Sequence, residues 1–454
     1  MTPPLKCWAN RIIWINFRKL RTKCDIGQIL MKMKINILRT IMGVMAVGIG
    51  CGVYAANDAG VLYAGTAKVD ITPQIGINMC GFAGRAGAVG VHDPLFARVV
   101  VLKENNLSVA IVSSDLVWLH SGRIIDEAKK KWQIDHVILC GTHTHSGPMD
   151  TPGPWYSSME EKVISAIGDA SKNLFPAHIG AEKAPFESDF LSYNRRFIQA
   201  DGKVSMWWEN PSRKPNGPVD PTLRVIRIDD DSGTTRAVMV HYAAHPVVLG
   251  GKNVQISADY PGATVNYIDQ EMGGKVMTMF FQGGGGDVHP YETGLSGEHG
   301  FEIVRQTGVS LGKQALLMAK GIRPMREKGG DSIKVAQSVI SMAYREDKTK
   351  IVDVGVMAVL INKDIALAVI SGEPFVQHQL DLSAKSPVKN TFLLGYAFFG
   401  KGIPLPTYLP SMQAVKDGGY GAGPGSANFL EAGAGERMID EAVKLINELQ
   451  GKKG

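Results

Sequence analysis

The sequence predicts an α/β protein, a single large domain of mixed sheets flanked by helices. Three observations carry that expectation. From Val61 onward, apolar runs of strand length alternate with amphipathic runs of helix length. Two late apolar runs are joined by the short turn "INKD" (361–364), so part of the sheet structure is antiparallel. No internal repeat, low-complexity tract or linker divides the chain.

The elements follow in order. "ARVVVLKE" (97–104) and "LSVAIVSSDL" (107–116) read as strands. "SGRIIDEAKKKW" (121–132) reads as a helix, with Ser121 as its cap and a basic last turn. "DHVILCGT" (135–142) is a buried strand. Further strands are expected at 222–229, 235–245, 275–283, 355–362 and 365–373. Helices are expected at 156–173, 261–271, 297–319, 374–382 and 427–449. Two irregular stretches remain, 210–221 and 400–427, and the second is longer than a passive connection.

The formal charge of +6 is unevenly distributed. Residues 1–56 hold nine Lys and Arg against one Asp, which is +8 and leaves −2 for residues 57–454. The basic pI of 8.9 is therefore no argument for nucleic-acid binding. The N-terminal excess reads as an export signal at 31–56. Its parts are a basic "MKMKINILRT", an apolar "IMGVMAVGIGCGVYAA" and a small-x-small "VYA" before Ala56. Residues 1–30 are then an upstream extension, and 57–454 the mature domain. The expected location is periplasmic or secreted, with at most peripheral membrane contact. An uncleaved anchor, or a lipid anchor through Cys51, is the alternative. Of five cysteines, Cys80 and Cys140 lie in the mature domain, either as one disulfide or as two buried thiols.

Several predicted strands end in polar residues that a buried strand does not require: His143 and His145 in "THTHSGP", His245, Asp287 and His289 in "GGGGDVHP", and Glu373. Ligands in α/β sheets collect at the carboxyl ends of strands. Imidazoles with one carboxylate suit Zn²⁺. His143 and His145 are expected to face opposite ways, one toward a metal and one toward substrate. Each residue taken alone also has a structural explanation: a solvated His pair, packed core histidines at 241 and 245, a helix-capping Glu373. The glycine run is no Walker loop, because Asp287 stands where a Lys and a Ser or Thr would be needed. Its glycines imply positive φ or a close backbone approach.

Taken in order, these segments resemble the neutral (non-lysosomal) ceramidase family. "AGTAKVDITP", "NMCGFAG", "THTHSGP", "YNRR" (193–196), "AAHPVVL" with "SADYPG", "GGGGDVHP" and "SGEP" carry the resemblance from Ala64 to Gly421. The resemblance implies the catalytic domain of that family, without its C-terminal immunoglobulin-like domain. It implies one Zn²⁺ held by His143, His245, Glu373 and Tyr408. It places His145, Arg195 and Tyr420 at the scissile amide, His145 as proton shuttle and the other two at the oxyanion. The family's loop serine is His289 here. Asp287 and His289 are then expected to orient water or to bind a second metal. The expected activity is hydrolysis of an amide in a small-molecule or lipid N-acyl substrate, ceramide-like or otherwise, by metal-activated water. The alternatives are an esterase, lactonase or phosphoesterase on the same metal site, and an inactive envelope binding protein.

Overall fold

Strands that are apolar on both faces need cover on both faces, and four stacked layers provide it here. The computed structural model describes residues 60–324, 332–400 and 407–452. The expected extension at 1–30, the signal at 31–56 and Cys51 lie outside the described residues. Ala59–Gly454 forms one compact unit. Among the described residues no helix is long and apolar enough to cross a membrane.

The larger sheet has nine strands. From one edge they are Met277–Gln282, Thr235–Tyr242, Thr222–Asp230, Phe175–Pro185, Tyr63–Asp70, Phe96–Glu104, Leu107–Ser114, His136–Gly141 and Ala397–Phe398. Two of the pairings are parallel, 235–242 with 277–282 and 107–114 with 136–141. The smaller sheet orders Ile333–Ala343, Ile351–Ile361, Ile365–Ile370 and Asn390–Leu394. Its central pair is the antiparallel hairpin expected at "INKD", with Asn362 in the left-handed turn conformation.

The two sheets pack face to face through Ile111, Ile138, Met239 and Phe281 on one side and Val359, Leu367 and Phe392 on the other. The outer face of the large sheet is covered by helices Gly122–Trp132 and Pro154–Lys172 at one end. Asp259–Glu271 and Gly297–Gly321 cover it at the other. Helix Ala434–Leu449 covers the outer face of the small sheet.

Most expected elements are present, with shifted ends. Ser121 caps its helix as expected, accepting the Ile124 N–H at 3.0 Å. The last helix starts at Ala434, not 427, because Leu430 bridges Tyr344 and Gly433 turns with φ +84°. The long stretch expected as irregular holds the two-residue strand Tyr408–Leu409 and the helix Met412–Asp417. Two eleven-residue strands, 175–185 and 333–343, were not expected; many of their side chains are exposed, so their apolar signal is weak. Cys80 and Cys140 are both free thiols, so the disulfide alternative does not hold.

One ion pair is buried near the strand ends. Arg98 and Asp115 are each 1% exposed and meet at 2.7 Å, and Asp115 also accepts the Phe96 N–H. Asp115→Ala leaves the guanidinium buried without its partner, and is expected to destabilise the fold by about 3–5 kcal/mol. Chemical denaturation would show this as a lower midpoint with unchanged slope; an unshifted midpoint would refute it.

Candidate metal centre and active site

The His-x-His segment is built differently from the extended strand expected. The strand stops at Gly141, and His143 has a left-handed backbone with φ +72°. Its N–H bonds to the Leu116 carbonyl at 2.9 Å. Residues two apart on an extended strand share a face, so the expectation of opposite-facing side chains misread the strand period. Both imidazoles turn inward, and their Nε2 atoms lie 3.2 Å apart. Thr144 locks the turn, donating to Ser257 O at 2.8 Å and accepting the Ser146 N–H.

His143, His145 and His245 bring one ligand nitrogen each within 4.8 Å of one another, close enough to share a metal ion. Replacing His145 by Glu373 gives a more regular group. His143 Nε2 to His245 Nε2, His143 Nε2 to Glu373 Oε2, and His245 Nε2 to Glu373 Oε2 are all 3.3 Å. A tetrahedral ion with bonds of about 2.0–2.1 Å separates its donors by roughly 3.3–3.4 Å.

Protons point the same way. His143 Nδ1 lies 3.1 Å from Val117 O, and His245 Nδ1 lies 2.6 Å from Gly285 O. A carbonyl accepts only, so both Nδ1 atoms carry the proton and both Nε2 lone pairs face inward. Glu373 Oε2 is buried and has no hydrogen-bond donor. Three electron-rich atoms thus converge with no proton of their own between them, and a cation is what such an arrangement fits. Burial pushes His245 down to about 4, although its contact with Glu373 opposes the shift. The second sheet supplies Glu373 through a parallel bridge, Glu373–Pro374 beside Tyr408–Leu409. That bridge carries Tyr408 into the same site, where its ring stacks toward His245 at 6.4 Å.

A cavity of about 400 Å³ opens onto this cluster. His145, His245, Arg195, His289, Tyr408 and Tyr420 face it from the chemical side, and Phe82, Ala83, Val247 and Trp208 give it apolar walls. Arg195 is buried and packs against three rings, with its guanidinium carbon 5.4 Å from Trp208, 5.5 Å from Tyr408 and 5.2 Å from Tyr420. Burial works against its charge, but Tyr408, Glu373 and Asp287 together outweigh it and the pKa stays raised. His145 is held well below the usual histidine range by burial, then by His143 and His245.

Asp287 is placed otherwise than expected. Its Oδ1 accepts the Val376 N–H at 2.9 Å and its Oδ2 accepts Asn194 Nδ2 at 2.8 Å. It is no part of the cavity wall. It caps the helix that follows Glu373, the task sequence reasoning offered to Glu373 itself. Burial raises its carboxyl. His241 is a core residue, its Nε2 donating to Leu393 O at 2.8 Å.

Two contributors were missed. Tyr396 follows strand Asn390–Leu394, is fully buried with an unpartnered hydroxyl, and lies 4.3 Å from the His143 ring. The strand-end logic that found Glu373 extends to it. Arg85 ties three segments of the cavity rim together, donating to the carbonyls of Cys80, His145 and Asn253. A larger groove of about 1050 Å³ lies along helices 259–271 and 297–321 but holds none of the clustered ligands.

Two triads share His143 and His245, and metal content separates them. Glu373→Ala and His245→Ala are expected to lose the bound divalent metal after dialysis. His145→Ala is expected to retain about one ion per chain. Elemental analysis of the purified variants decides; metal loss in His145→Ala with retention in Glu373→Ala would select the three-histidine set.

Known proteins share this architecture. The family model for the N-terminal part of neutral/alkaline non-lysosomal ceramidase matches residues 62–334. Neutral ceramidase A of Dictyostelium discoideum is 27% identical over 283 residues, 55% of this chain and 38% of that protein. Neutral ceramidase B of the same organism is 26% identical over 250 residues, 48% of this chain and 34% of its own length. The matches thus span little more than a third of these relatives. The crystal structure of neutral ceramidase from Pseudomonas aeruginosa superposes with a TM-score of 0.68 at 15% identity, over 86% of this chain and 75% of that one. A ceramidase complexed with C2 gives 0.72 at 15% identity, over 86% and 76%. At that identity the superpositions establish the fold. With the family match across more than half of its residues, this chain belongs to the neutral/alkaline non-lysosomal ceramidase family.

Proposed function

We propose that this chain is an exported zinc-dependent hydrolase that cleaves the amide bond of N-acyl substrates of the ceramide type. The observation that carries the reading is the triangle of two imidazole lone pairs and one carboxylate oxygen, with 3.3 Å edges, beside a cavity that His245 lines. His143, His245 and Glu373 would hold the ion, with Tyr408 as fourth donor. Zinc in such a site supplies a Lewis acid for the amide carbonyl and lowers the pKa of a water molecule.

The remaining residues do the rest. His145 borders both the cavity and the His143 nitrogen, and burial keeps it neutral, ready to take a proton from water and pass it to the leaving nitrogen. Arg195 is a cation fixed in a largely apolar wall, where it stabilises developing negative charge better than it would in water. Tyr420 stands at the mouth, 45% exposed, and adds a hydroxyl donor. Phe82, Ala83, Val247 and Trp208 suit an acyl chain, and about 400 Å³ is an ordinary size for a small-molecule site. The scissile group fits inside such a cavity, with long chains leaving through the mouth.

The experiment is product detection by mass spectrometry from a mixed pool of N-acyl amides, including ceramides, with ester and phosphoester pools in parallel. Amine and fatty acid are expected from the amide pool. Chelation, or Glu373→Ala, is expected to slow release by at least about 100-fold, since metal polarisation supplies several kcal/mol. Turnover that survives chelation, or ester or phosphoester cleavage without amide cleavage, would overturn the assignment.

A further inference from the structure

His289 stands where the family resemblance leads one to expect a serine, and its surroundings define what it does. The short strand Val288–Pro290 pairs with Leu191–Asn194, placing His289 opposite Tyr193 and within reach of Arg195. Arg195 Nη1 lies 2.8 Å from His289 Nε2, and Arg195 Nη2 donates to Gly286 O at 2.7 Å. A guanidinium has only donors and keeps its charge at any working pH. His289 Nε2 is therefore the acceptor, and the ring proton sits on Nδ1. That nitrogen is shut away from solvent and makes no hydrogen bond of normal length. The ring also interacts with the Trp208 backbone, whose carbonyl accepts the Thr293 hydroxyl at 2.6 Å. His289 itself is 5% exposed.

We infer that His289 is a positioning residue: its Nε2 lone pair holds Arg195 over Tyr408 and Tyr420, in a neutral Nδ1–H tautomer that is neither nucleophile, acid–base nor metal ligand. The engaged lone pair cannot attack a carbonyl or bind a second ion, and the buried Nδ1–H cannot reach substrate. Acyl transfer then runs directly to water: water oxygen bonds the acyl carbon, the C–N bond and one water O–H bond break, and that proton leaves on the amine nitrogen. No acyl-enzyme forms at this position. The catalytic consequence rests on the hydrolase reading above; the tautomer does not.

Two measurements test this. In ¹⁵N-histidine-labelled full-length protein, the resonance pair lost in His289→Gln is expected to show a protonated Nδ1 and a bare Nε2, with or without zinc. In turnover, His289→Gln keeps an acceptor for Arg195 and is expected to lose less than about tenfold in kcat, with the pH profile unchanged in shape. His289→Ala and His289→Ser cannot reach Arg195 and are expected to lose about 10- to 100-fold, the scale of one hydrogen bond to a charge. Zinc content stays the same in all three. A protonated Nε2, an acyl adduct on His289 after acid quench, or a Gln variant as slow as the Ala variant would overturn the inference. If no substrate is turned over at all, the hydrolase reading fails while the tautomer remains decided by the spectrum.

Discussion

Two backbone segments touch at the centre of this protein with no side chain between them. Gly283–Gly286 leaves the large sheet and lies against Glu373–Phe375, which leaves the small one. A Cβ on Gly286 would sit 2.8 Å from Glu373 O, and one on Gly284 would sit 3.2 Å from Phe375 O. None of the four glycines has positive φ; they are needed for contact, not for a turn. Through this contact Gly286 N–H bonds to Pro374 O, Gly285 O orients His245, and Gly286 O holds Arg195. The carboxylate of one sheet reaches the imidazoles of the other only because this seam is closed.

The seam concentrates groups that are costly to bury. A carboxylate, a guanidinium and four imidazoles occupy one dry region, and each needs a specific partner there. Glu373 Oε2 meets only the lone pairs of His143 and His245, the gap that a cation would fill. Arg195 has His289, Gly286 O and three aromatic faces. Asp287 is spent on structure, tying Asn194 to the start of the helix after Glu373. The braces that aim the reactive groups thus lie along one short stretch of chain, 283 to 289: Gly285 O on His245, Gly286 O and His289 on Arg195, and Asp287 on Asn194 and Val376.

The local part of this arrangement was legible in the sequence. The helix after Ser121, the hairpin at Asn362 and the polar residues after strands all follow from periodicity and capping. So did the set His143, His145, His245 and Glu373, and the structure brings all four together. What could not be read depends on contacts distant in sequence. The left-handed turn at His143 is stabilised by Leu116 O and, through Thr144, by Ser257 O; the expectation of opposite-facing histidines failed for a simpler reason, because residues two apart share a strand face. Asp287 looked reactive because its partners, Val376 and Asn194, lie about ninety residues away on either side. Tyr396 stands after a strand as Glu373 does and was passed over; Arg85 carries no local signature, only a place in the folded chain.

If His143, His245 and Glu373 hold a metal ion and His145 does not, the position of that ion shows it. Anomalous diffraction at the zinc edge from crystals of the zinc-loaded protein tests it most directly. One peak is expected at bonding distance, about 2.0–2.1 Å, from His143 Nε2, His245 Nε2 and a Glu373 oxygen, with Tyr408 as fourth neighbour. A peak bonded to His145 with Glu373 unbound, or no peak in this cluster, would contradict it.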